Sequence, residues 1–198
     1  MNVPALVLVA AAAASSLGRA PVDAPSSAPI ALAIEVKDLA RVPEGVMRDT
    51  KAEVERTFHA VGVRIVWADP GSALRDAPAP VKLFVVGSTR RLAQADDGPR
   101  AAMLGVAPES GQWVQVFYGR VVAAVAARQV SIGVVLAHVV AHELGHVLLP
   151  PDSHSAVGVM REAVGLSHPT FRRFTDDQGR LIRAALASGR RYAWSCGP

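Results

Sequence analysis

The sequence predicts an α+β domain, a mixed β-sheet packed on helices. Three observations carry this. Four short runs rich in β-branched residues, at 30–36, 63–67, 81–86 and 113–118, have the length and composition of strands. Two segments, 43–60 and from Thr175 onward, repeat apolar residues at helical spacing. A third, 133–149, is apolar almost throughout and too long for a strand, so it reads as a buried helix. Apolar residues make up 51% of the 198-residue chain, enough for a core and too many for global disorder.

The elements follow in order. Residues 1–20 read as an export signal: Val3 to Ala14 is apolar but shorter than the roughly 20 residues a bilayer span needs. Small residues around Ala12 to Ala14 offer a cleavage site. Residues 21–29 (PVDAPSSAP) have linker composition, and 30–198 form a single domain. After the first strand, Pro43 suits a first helical turn and Gly62 closes the helix. Val46, Met47, Val54 and Phe58 give that helix its apolar face. The run Val81 to Val86 is nearly continuous in apolar character, as expected of a central strand. Met103 to Ala107 reads as a short strand, and Trp113 to Tyr118 as a longer one. Residues 120–129 read as a helix or an irregular bridge. Pro150 and Pro151 end the buried helix. Thr175 and Gln178 make a capping box for the last helix, with Asp176 and Asp177 at its positive end.

Composition narrows the function. The formal charge is +4, but the arginines are scattered in ones and twos and only 5% of residues are aromatic. A nucleic-acid interface wants a dense basic stripe, so no nucleic-acid partner is expected. The lone cysteine, Cys196, allows no internal disulfide and lies far from the leader. Beyond the leader no segment is apolar enough to span a membrane. The expected location is secreted or periplasmic, without stable membrane insertion once the signal is cleaved.

The chemistry concentrates in His138-Val-Val-Ala-His142-Glu143-Leu-Gly-His146. Four residues are just over one helical turn, so His142 and His146 project from one face. Two imidazoles so placed can meet one Zn²⁺ at about 2.0–2.1 Å each. Glu143 points about 100° away by the helix period, outside the close shell but within reach of a water on the metal's open side. A carboxylate there can take a proton from the attacking water and pass it to the leaving amine. The pattern H-E-x-x-H arises by chance on polar surface helices. Here the neighbours Val134, Val135, Leu136, Val139, Val140, Leu144, Val147 and Leu148 are apolar on nearly all sides. Polar groups in such a helix cost several kcal/mol (roughly 2–7 each) unless paired or metal-bound. A catalytic zinc needs a third ligand, and Asp152, His154, Glu162 and His168 lie downstream. His138, one turn earlier, reads as a packed core histidine.

The segment HELGHVLLPPDSHSAVGVM, 142–160, resembles the active site of the zincins, and in particular of metzincin-like secreted peptidases. The resemblance implies a zincin-like mixed sheet, an active-site helix, a third ligand soon after it, and a turn beneath the metal carrying Met160. It departs from the usual metzincin pattern: Leu149 stands where a bend glycine is usual and Asp152 where the third ligand is usual. An Asp there is similar to snapalysin-type peptidases. A Ser-His-Ser loop followed by Gly-x-Met-Arg resembles a group of short bacterial zincins in which His154 would be the ligand. The expected site is His142, His146 and His154 on one Zn²⁺, with Asp152 as the alternative ligand and Glu143 as general base. A gluzincin or aspzincin arrangement would use Glu162, Asp176 or Asp177 instead. The expected function is hydrolysis of peptide bonds in a peptide or protein substrate. The alternative is a catalytically degenerate zinc- or peptide-binding protein of the same fold.

Overall fold

The structure, a computed structural model, describes residues 30–68, 80–87, 103–108, 111–126, 128–162 and 173–192. The export signal, the linker, His168 and Cys196 lie outside the described residues. The elements run β1 (Ala31–Asp38), α1 (Glu44–His59), β2 (Arg64–Ala68), β3 (Val81–Val86), β4 (Gly105–Val106), β5 (Trp113–Phe117), α2 (Tyr118–Val125), α3 (Ile132–Leu148) and α4 (Asp176–Ala187). Every expected element is present, and the α+β class with a mixed sheet holds. Segment 120–129 resolves in favour of a helix, α2, which starts directly after β5 at Tyr118.

The five-stranded sheet has the order β2-β1-β3-β5-β4. Strands β2, β1, β3 and β5 are parallel, and β4 alone runs antiparallel, pairing Gly105 with Val116 and Val106 with Gln115. Strand β3 is central, as its apolar run predicts. Its burial nevertheless alternates: Val81, Leu83 and Val85 are buried, while Lys82 is exposed and Phe84 half-buried. Phe84 instead packs edge-on to Trp113 of β5, ring centroids 5.8 Å apart.

One core joins Leu32 and Ile34 of β1, Leu83 of β3 and Val114 of β5 to Val54 and Phe58 of α1 and Leu136, Val140 and Leu144 of α3. Helix α3 is the centre of this core. Every residue from Ile132 to Leu148 is buried except Ile132, Val134 and His142. It packs against α1, β5, β4, α2 and α4. Among the described residues no helix is long and apolar enough to cross a membrane.

The helix ends follow local chemistry. Pro43 caps α1, and Gly62, at φ 75°, reverses the chain before β2. Leu149, before Pro150, is extended at φ −110° and ψ 154°, as a residue preceding proline should be. The carbonyl of Val147 accepts from Tyr192 N at 2.8 Å, so the segment after α4 closes the end of α3. The capping box of α4 is complete: Gln178 N donates to Thr175 Oγ1 at 3.3 Å and Thr175 N donates to Gln178 Oε1 at 3.0 Å. Replacing Thr175 with Ala is expected to lower stability by about 1 kcal/mol. Urea unfolding should show a lower midpoint with an unchanged slope.

Candidate metal centre

The three expected histidines come together. The ligand-capable atoms of His142, His146 and His154 all lie within 4.8 Å of one another. His142 Nε2 and His146 Nε2 stand 3.1 Å apart. Two ligands at about 2.0–2.1 Å in a tetrahedral zinc shell are about 3.3 Å apart, so the spacing suits one ion. The ring of His154 lies 5.3 Å from that of His142, nearly parallel at 26°, and 4.8 Å from that of His146 at 80°.

The surroundings prepare these rings for a metal. His142 Nδ1 lies 3.0 Å from the carbonyl oxygen of Val159. A carbonyl only accepts, so Nδ1 carries the proton and Nε2 presents its lone pair to the cluster. His146 is pushed down to about 3, first by burial and then by His142 and His154. Burial also lowers His142, with an opposing pull from the Val159 carbonyl and a smaller push from His154. Both rings are therefore neutral near pH 7, the form that binds metal. His154 is exposed and His142 half-buried, so the cluster opens to solvent on that side. Three imidazoles with one open side form a donor set that could hold a metal ion, and imidazole suits zinc.

Glu143 is 7% exposed, and burial pushes its carboxyl up to about 8. A divalent cation beside it would act in the opposite direction, favouring the carboxylate. Its side chain lies against β4. A Cβ built on Gly105 would come within 2.7 Å of Glu143 Cγ and Oε1.

The loop after α3 delivers His154. Asp152 does not join the cluster; it is exposed and sits at φ 59°, one of the two non-glycine residues in the left-handed region among those described. The bend therefore falls at Asp152, with Leu149 extended. An Asp tolerates the left-handed conformation better than most residues, so the chain turns without the bend glycine, three positions later. Ser155 N donates to Met160 O at 2.9 Å, and Gln178 Nε2 of α4 donates to Ser155 Oγ at 3.1 Å. Met160 is fully buried against Gly145, where any Cβ would overlap its Sδ. Glycine between Leu144 and His146 thus lets a methionine turn lie directly under the helix that carries the rings.

The other sequence candidates stay apart. His138 is buried in α3 and outside the three-ring cluster, matching a core position. Glu162, Asp176 and Asp177 are exposed and do not join it. Among the described strands β5 is internal, and β4 lies at the end of the sheet order. Sequence reasoning missed Gly105 and the Val159 carbonyl. An isolated glycine in a strand is the signal that marks the first; a backbone acceptor leaves none.

Compared with models of known protein families and with curated proteins, the sequence matches none.

His154→Ala is expected to abolish stoichiometric zinc binding, whereas Asp152→Gly keeps it, because glycine adopts the same positive φ without strain. Metal content per chain after dialysis checks both. Zinc loss in the Asp152 variant alone would make Asp152 the ligand.

Proposed function

We propose that this chain is an exported zinc-dependent peptidase of zincin-like fold, with His142, His146 and His154 as metal ligands and Glu143 as general base. The observation that carries the reading is the convergence of three imidazoles on one point with a buried carboxylate next in sequence to the first of them.

When bound, zinc supplies a Lewis acid that polarises a carbonyl and acidifies water. The chain's own residues supply the rest. The His142 ring is held in one tautomer by the Val159 carbonyl. Glu143 takes a proton from the attacking water and returns it to the leaving amine. Strand β4 borders Glu143 through Gly105, and among the described strands it pairs on one side only, with β5. A strand edge is where an extended polypeptide can add by backbone pairing. This favours a peptide or protein substrate over a small ester or amide. Export rests on the apolar leader, Val3 to Ala14, and its small-residue cleavage stretch.

Glu143→Gln is expected to retain zinc and lose about 100- to 10,000-fold in peptide hydrolysis. Assay of the zinc-loaded variant on casein and on a peptide library reads this directly, and wild-type rates in that variant would remove Glu143 from the mechanism. Chelation should abolish hydrolysis and added zinc restore it. A wild-type chain that holds zinc and cleaves nothing would instead be the degenerate binding protein of the same fold.

A further inference from the structure

Gly105 is unexplained by its own backbone. It is the first residue of β4 and is buried. It is not among the glycines with positive φ, so its conformation would accept any residue. Glycine weakens a strand and tends to mark the close approach of another group. Here that group is Glu143. A Cβ at Gly105 would lie 2.7 Å from Glu143 Cγ, 2.7 Å from Oε1 and 2.9 Å from Cδ, closer than atoms in contact can stand.

Neither backbone can retreat easily. Strand β4 is held by its pairing to β5, by Phe117 N donating to Leu104 O at 2.8 Å, and by Arg120 Nη1 donating to Met103 O at 2.9 Å. Helix α3 is locked into the core on nearly all sides. The part that must give way is the Glu143 side chain.

We propose that Gly105 is a positioning residue for Glu143: by carrying no side chain it leaves the space in which the carboxylate arm lies. The catalytic consequence rests on the reading of Glu143 as general base. The three atoms nearest to that space all belong to Glu143 and none to a histidine of the cluster, so a side chain at position 105 displaces the base and leaves the metal ligands in place.

The test uses the full chain loaded with zinc, as wild type, Gly105→Ala, Glu143→Ala and the double variant. Zinc content, thermal midpoint and peptide hydrolysis are read for each. Gly105→Ala is expected to keep its zinc, to keep KM, and to lose about 100-fold in kcat, the cost of misplacing a reacting group by about 1 Å. In the wild-type background the added methyl should lower the thermal midpoint by about 2–4 °C or more, and in the Glu143→Ala background by nothing, because the methyl then occupies vacated space. Wild-type kcat in Gly105→Ala, loss of zinc in it, or equal midpoint shifts in the two backgrounds would each overturn the proposal. Should Gly105→Ala fail to fold, recovery of folding in the double variant supports it and continued failure overturns it. If even the wild type cleaves no peptide, the peptidase reading falls, and the midpoint cycle still decides whether Gly105 makes room for Glu143.

Discussion

Three imidazoles, of His138, His142 and His146, and the carboxylate of Glu143 sit in a helix that is otherwise apolar and almost completely enclosed, and the rest of the site is organised around that constraint. Helix α3 meets α1, β5, β4, α2 and α4, so it has little freedom to turn its polar groups toward water. Leaving such groups without partners costs several kcal/mol, roughly 2–7 each. His142 is the one of them that reaches solvent, and it is oriented by the Val159 carbonyl. Burial at the same time keeps His142 and His146 neutral and raises the carboxyl of Glu143.

The loop from Leu149 to Met160 is the second half of the centre. It leaves α3 in an extended conformation, bends at Asp152, presents His154, and returns to place Val159 behind His142 and Met160 beneath Gly145. Ser155 fastens it twice, to Met160 within the loop and to Gln178 in the capping box of α4. The third imidazole is exposed, but the backbone that carries it is tied to the helices on either side. Precision at a metal site comes from such supporting contacts as much as from the ligands themselves.

The opposite wall has a different character. Strand β4 is two residues long and pairs antiparallel on one side. A strand so short contributes little to sheet stability. It does bring a sheet edge and a glycine against Glu143. Glu143 is thus bordered by β4 and the ring of His142 by the loop, on two elements far apart in the sequence.

Much of this was legible in the chain itself, because it rests on local rules. The spacing of His142 and His146 follows from the helical period, the end of α3 from Pro150, the start of α4 from Thr175 and Gln178, and the strands from their β-branched runs. Which of Asp152 and His154 lies with the two rings was not, since it depends on where a loop bends: the chain turns at Asp152, in the left-handed conformation, and brings His154 to the other two histidines. The strand order, which makes β4 and not β5 the edge, is likewise a matter of pairing between distant segments. So is the meaning of Gly105. The sequence alone determined which residue types stand one helical turn apart in an apolar helix. Tertiary packing decided which third ring meets them and what lies against Glu143, because those contacts join segments whose separation along the chain carries no periodicity to read.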